Sequence, residues 1–179
     1  MSELKLLGIS GSLRAGSVNT KLVREAARVF APATFEMGDL RVPLYDGDEE
    51  TRDGIPAAVQ RLADQIAGAD AVVISSPEYN QGLSGVLKNA LDWVSRVEGN
   101  PWERKPVALM AAAAGRAGGA RGQYALRLAM APFRVAVAAG PEVLIAAAGK
   151  AFDADGRLID ERYQKALAGQ MEALRAAVR

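Results

Sequence analysis

The sequence predicts an α/β fold, a doubly wound five-stranded parallel sheet with helices on both faces. Three observations predict it. Short apolar runs alternate with longer segments of helical period. The 179 residues suit one domain with a substantial core. Three polar or glycine-rich stretches follow directly on apolar runs, where a parallel sheet places the loops that bind ligands.

Leu4–Ile9 is the first strand, and Leu22, Val23, Ala26, Ala27 and Phe30 then recur at helical spacing. Thr34–Met37 reads as the second strand. A polar loop through Pro43 and Gly54 leads to a helix over Pro56–Ala67, with proline suited to its start. Ala71–Ser75 is a buried strand, and Leu87, Ala90, Leu91 and Val94 mark one face of the next helix. Val107–Ala112 is the fourth strand, followed by a glycine-rich loop and a helix around Arg121–Ala131. Glu142–Ile145 and Val135–Ala139 compete for the fifth strand. Tyr163, Leu167, Met171, Leu174 and Val178 form one stripe of a last helix. No repeat, low-complexity segment or linker divides residues 1–179, so a single domain is expected.

Composition narrows the chemistry. Lysine and arginine number 22 against 21 acidic residues, a balance that provides no electrostatic basis for a nucleic-acid or anionic-membrane partner. No apolar run approaches the ~20 residues of a membrane span, and Met1 to Lys5 has no signal-peptide pattern. A cytoplasmic location is expected. The absence of cysteine excludes disulfides, thiolate nucleophiles and cysteine-bound metals. With no histidine, the commonest general base and metal ligand are missing and a Ser-His-Asp hydrolase is excluded. Redox chemistry here requires a bound organic cofactor.

The first loop, Ser10 to Thr20, offers four hydroxyls (Ser10, Ser12, Ser17 and Thr20), the Arg14 guanidinium and the amides of a helix N-terminus at Val18. No acidic residue occurs from Lys5 to Arg24. Asn19 is the candidate helix cap, and Gly11 and Gly16 allow a tight backbone. The spacing matches neither GxGxxG nor a P-loop. A phosphate cradle is favoured over a merely capping loop.

The second loop, Ser75 to Gly82, carries Pro77, Glu78, Tyr79, Asn80 and Gln81. Proline stiffens the turn, tyrosine offers a flat face, and asparagine can bond the edge of a heterocycle. A surface turn with Tyr79 on the core accounts for the same residues equally well. The third loop, from Ala111 to Gly119, includes Ala113, Ala114, Gly115, Arg116 and Gly118, side chains mostly small enough for main-chain amides to approach a ligand. Taken alone it reads better as a flexible connector. The argument for a site rests on all three loops meeting at one sheet edge.

With these segments in view, the chain resembles the NAD(P)H-dependent FMN reductase family, which includes bacterial quinone, chromate and azo-dye reductases. The resemblance covers nearly the whole length. It is most specific at GISGSLRAGSVNT (Gly8–Thr20), SPEYNQGLSGVLKNALDWVSR (Ser76–Arg96) and GRAGGARGQYALR (Gly115–Arg127), with Phe152–Gly156 also following the family pattern.

It implies a flavodoxin-like sheet with FMN at the three loops and NADPH or NADH as electron donor. Ser10, Ser12, Arg14, Ser17 and Asn19 would hold the phosphate, with Val18 and Thr20 beside them. Pro77, Glu78, Tyr79 and Asn80 would lie along the isoalloxazine ring, and Ala113–Gly118 would meet its pyrimidine end. Gln81 occupies a variable position suited to choosing the acceptor, and Arg116 reads equally as a clasp for a nucleotide phosphate or as a solvated loop charge. The family often has Ser-Pro where this chain has Ala113-Ala114, which removes a hydroxyl and a rigid turn from that edge.

A homodimer or homotetramer is implied, with the helix near Ser84–Arg96 at a subunit contact. Leu91, Trp93 and Val94 lie on or beside that helix, although Leu91 and Val94 equally suit a core. The partner in turnover would be a small-molecule electron acceptor. Two other readings fit the loops: a flavodoxin-type electron carrier without NAD(P)H turnover, or a non-redox phosphate- or nucleotide-binding module. Such carriers are usually strongly acidic, and this chain is not.

Overall fold

A computed structural model describes residues 4–178, so the reading of Met1 to Lys5 lies partly outside the described residues. The strands are β1 (Lys5–Ser10), β2 (Thr34–Gly38), β3 (Ala71–Ser75), β4 (Pro106–Ala112), β5 (Ala136–Val137) and β6 (Val143–Ile145). The helices are α1 (Val18–Phe30), α2 (Gly47–Asp53), α3 (Ala57–Gly68), α4 (Gly85–Val94), α5 (Ala120–Met130) and α6 (Glu161–Ala177). All pairings are parallel, in the order β2-β1-β3-β4-β5, with β6 also on β4. Among the described residues, no helix is long and apolar enough to cross a membrane.

The two competing segments for the fifth strand both form. β5 pairs with the start of β4, at Pro106 and Val107, and β6 with its end, at Met110–Ala112. They share one strand position, interrupted at Gly140-Pro141. Pro141 has no N–H to donate, and α6 crosses there so closely that a Cβ on Gly140 would lie 2.5 Å from Gln170 Oε1. The sheet thus has five positions and six strands.

Strand side chains alternate between two cores, as the period of two requires. Leu4, Leu6, Val73, Ala108 and Met110 face α1 and α6. Leu7, Ile9, Val72, Ile74, Val107 and Leu109 face α3, α4 and α5. Leu91, Trp93 and Val94 all belong to this second core, and Trp93 Nε1 donates to Pro43 O at 2.9 Å. None of the three is free for a subunit contact; the exposed side chains are Lys88 on α4 and Ser95 and Arg96 just beyond its end.

Helix α2 lies where a polar loop was expected. Asp46 caps it, three acidic residues fill its first turn, and it has no buried residue. Hydrophobic period carried no trace of it, because polar bonds hold it: Glu50 accepts from Tyr45 Oη at 2.9 Å and from Arg96 Nε at 3.0 Å. Pro56 is the cap residue of α3 and not part of its first turn.

Phe152 bridges Leu158, closing a hairpin whose Asp153 Oδ1 accepts from the amides of Asp155 and Arg157. This hairpin braces α1. Arg157 reaches Glu25 at 3.4 Å, and Arg28 pairs with the same carboxylate at 2.9 Å. Burial raises the Glu25 pKa, but the two guanidiniums outweigh it and hold the carboxyl below its ordinary value of 4.5. A pKa lower in the folded state stabilises the fold above the unfolded value and ceases to do so as pH falls through the folded one. Denaturant unfolding at pH 7 and in acid below 4.5 should show a smaller loss on acidification in Glu25→Gln than in the parent. Equal losses would remove Glu25 from the acid response.

Candidate functional site

The order β2-β1-β3 places the reversal of strand order between β1 and β3. Chains leaving adjacent strands there run to opposite faces and open a crevice at the carboxyl edge. Ser10 is in register with Ser75, and Ser75 with Met110, so the loops after β1, β3 and β4 begin side by side. The convergence expected of these loops is present.

Ser17, not Asn19, caps α1. Its Oγ accepts from the amides of Asn19 at 3.2 Å and Thr20 at 3.4 Å. Thr20 Oγ1 donates to Ser10 Oγ at 2.8 Å, joining the two ends of the loop. Ser12 Oγ accepts from the Arg14 amide at 3.4 Å. The amides of Ser12, Leu13, Ala15, Gly16 and Val18 have no acceptor among the described residues. A cavity of about 300 Å³ opens beside them, lined by Ser10, Ser12, Thr20, Arg14, Arg24 and Arg41 among others. Its carboxylate, Asp39, is paired with Arg41 at 3.3 Å. Unspent amides at a helix N-terminus with exposed guanidiniums suit an anion.

The Asn19 carboxamide turns inward and is only 2% exposed. Its Nδ2 donates to Ala112 O at 2.9 Å, and its Oδ1 accepts from Ala112 N at 3.0 Å and Ser75 Oγ at 2.7 Å. A side chain expected on a phosphate instead ties α1 to the ends of β3 and β4.

After β3, Pro77 is buried and backs the loop, while Tyr79, Asn80 and Gln81 are exposed. Tyr79 and Gly82 exchange two main-chain hydrogen bonds of 3.0 Å. Between them Asn80 has φ 48° and Gln81 φ 65°. Two left-handed residues at the centre of a tight turn define the I′ type, which normally takes glycine or asparagine. Gln81 there costs on the order of 1–2 kcal/mol of backbone strain. Tyr79 therefore projects from the turn and does not lie on the core.

The loop after β4 is also tied at its ends. Ala113 N donates to Ile145 O at 3.0 Å, and Ala113 O accepts from Ala148 N at 3.1 Å. Between these ends and the Gly118-Gly119 start of α5, Ala114, Gly115, Arg116 and Ala117 are exposed, and their amides have no acceptor among the described residues. They are a run of unpaired donors in the loop that begins at the carboxyl end of β4, and the Arg116 side chain is in solvent.

Sequence reasoning missed Ser84, which caps α4 through its Oγ to Leu87 N, although Ser-Gly-Val-Leu is a visible cap signal. It also missed Gly122, where a Cβ would lie 3.0 Å from both Glu78 Cα and Cβ. Among the described residues, no group of acidic side chains could hold a metal ion.

A doubly wound sheet with an anion cradle and a row of free amides at its switch point defines a mononucleotide-binding protein of flavodoxin-like fold. The model of the NADPH-dependent FMN reductase family matches residues 4–150, and the chain belongs to that family. It is 44% identical to an NAD(P)H-dependent FMN reductase of Pseudomonas aeruginosa, covering 99% of this chain and 96% of that one. It is 40% identical to a quinone reductase of Escherichia coli, covering 97% and 95%. The flavoenzyme NAD(P)H:(acceptor) oxidoreductase FerB from Paracoccus denitrificans superposes with a TM-score of 0.87 at 31% identity, covering 98% and 97%. The cofactor is FMN, with NADPH or NADH as donor.

Removing the Asn19 carboxamide strands Ala112 N, Ala112 O and the Ser75 hydroxyl without partners in the interior. Asn19→Ala should therefore cost on the order of 3 kcal/mol of stability, read by denaturant unfolding. A loss under about 1 kcal/mol would mean that these groups find other partners.

Proposed function

We propose that the protein is an FMN-dependent NAD(P)H oxidoreductase that passes electrons through bound flavin to a small-molecule acceptor, with quinones the first class to test. One observation carries the reading: the anion cradle, the exposed Tyr79 turn and the free amides of 114–117 lie at one sheet edge. Relatives named as quinone reductases support the acceptor class.

In this reading the free amides of Ser12, Leu13, Ala15, Gly16 and Val18, with the hydroxyls of Ser10, Ser12, Ser17 and Thr20, surround the phosphate, and Arg14 closes on it from solvent. Asn19 holds the cradle in place from behind. Glu78, Tyr79, Asn80 and Gln81 wall one side of the ring, and Ala113–Gly118 meet its pyrimidine end. When bound, FMN supplies acceptance of hydride from the nicotinamide and delivery of electrons to the acceptor. The protein positions both partners and presents N–H dipoles where negative charge develops on the ring. With no histidine in the chain, no imidazole needs to move a proton.

We further infer a homo-oligomer, its contact made by exposed residues of α4 and its surroundings and not by Leu91, Trp93 or Val94. A cytoplasmic location, where NADPH and NADH are available as donors, is part of the same reading. Light scattering at micromolar concentration should report at least a dimer, and a fully active monomer would remove the shared interface.

The purified protein should carry FMN, identified by mass, and should oxidise NADPH or NADH with a quinone present. FAD as the released species would overturn the cofactor reading, and bound FMN without NAD(P)H oxidation would leave an electron carrier. Arg14→Glu replaces a charge-assisted contact by repulsion and should weaken FMN binding by roughly 2–3 kcal/mol. Unchanged affinity in a folded variant would move the phosphate elsewhere.

A further inference from the structure

Helix α5 has no cap of its own. Its cap residue is Gly119, with φ 88°, and its first turn holds no acidic side chain. Ala120 N donates to Ala117 O at 3.2 Å, and the amides of Gly119, Arg121 and Gly122 find no main-chain acceptor among the described residues, leaving a partial positive charge at its start. The missing acceptor comes from across the site: Glu78 Oε2, 44 residues earlier in the chain, accepts from Gly122 N at 3.0 Å. The fit is close on every side. A Cβ on Gly122 would lie 3.0 Å from Glu78 Cα and 3.1 Å from Gly82 O, so the first turn of α5 rests directly on both flanks of the Tyr79–Gly82 turn.

That turn is the strained one, with Asn80 and Gln81 left-handed. Such a conformation persists only where its flanks are over-determined. On the far flank, Ser84 N donates to Ser76 Oγ at 3.3 Å. On the near flank, the Glu78 carboxylate is the anchor. The same carboxylate fixes where α5 starts and hence where the free amides of 114–117 end.

We propose that Glu78 is a positioning residue: by capping α5 from the loop after β3, its carboxylate sets the spacing between the Tyr79 turn and the 113–119 loop, and so the width of the flavin-ring pocket. The inference rests on the reading above that these two loops hold the ring. It assigns the Glu78 side chain to the partner wall of the pocket, leaving the main chain of the turn to face the ring.

The test compares two ligands on apoprotein, FMN and riboflavin, the second of which lacks the phosphate. Flavin fluorescence quenching gives both dissociation constants without any turnover. Glu78→Ala should weaken FMN and riboflavin by the same factor, about tenfold or more, because the loss is confined to the ring end. Glu78→Gln, which keeps an acceptor for Gly122 N, should recover most of that loss. Arg14→Ala should weaken FMN and leave riboflavin unchanged.

A Glu78 variant that folds and binds both flavins as the parent does, while Arg14→Ala weakens FMN, would overturn the positioning role alone. If neither Arg14→Ala nor Glu78→Ala altered flavin binding, the loops would not hold the flavin and both readings would fall. Should Glu78→Ala not fold, Glu78→Asp, whose carboxylate is one methylene too short for the bond to Gly122 N, carries the test through hydrogen exchange at Gly82 and Gly122. Faster exchange at both amides than in the parent, with weaker riboflavin binding, supports the role; parent-like exchange and binding overturn it.

Discussion

The site depends on one carboxamide. β3 pairs with β4 only as far as Ser75 and Met110, and its last main-chain donor to β4 is Ser76 N, which reaches Met110 O at 3.2 Å. Ala112, two residues further along β4, would be left with a buried N–H and C=O on that side. Asn19 supplies both missing partners, its amide standing in for a peptide group, and takes the Ser75 hydroxyl as well. The sheet can therefore open at its carboxyl edge without orphaning main-chain groups. The crevice between the first and third loops exists because that opening is satisfied from α1.

The same substitution of side chain for main chain recurs around the edge. Ser17 takes two amides at the start of α1, Ser84 takes one at α4, and Glu78 takes one at α5. Each polar group spent in this way fixes the exit of one loop, while the middles of the loops keep their amides unpaired. A rigid frame with unspent donors needs little reorganisation when charge appears between the loops, which is the condition for electrostatic preorganisation.

Much of this was legible beforehand. The strand–helix alternation, the three loops and the two-core layout all follow from apolar period and glycine placement, and the structure agrees within a residue or two at most strands. The features that escaped are those without an apolar signature. Helix α2 buries nothing, although Asp46, its acidic first turn and Gly54 were cap signals in plain view. The fifth strand looked like two rivals because Gly140-Pro141 splits it, a break imposed by the close passage of α6 that no local pattern encodes. Asn19 was misplaced for a related reason. Asparagine near a helix start normally caps, and only the positions of Ser75 and Ala112 in space turn it inward. Tyr79 allowed two readings until the left-handed φ values of Asn80 and Gln81 showed the turn that projects it.

The two ends of the crevice differ in how much of them is fixed. At the first loop, the cap, the Ser10–Thr20 bond and the Asn19 clamp tie the chain to β1, α1, β3 and β4. At the second loop, the turn is fixed at its flanks but its tip, Tyr79 to Gln81, is exposed. Under the proposed function, substitutions at the tip alter what can lie over the ring, whereas substitutions at the flanks alter whether the ring is held at all. A cofactor that performs the electron transfer itself asks the protein for a firm grip and an open face. Under the proposed function, this division lets the chemical class of acceptor change at Gln81 or Tyr79 without rebuilding the anchor.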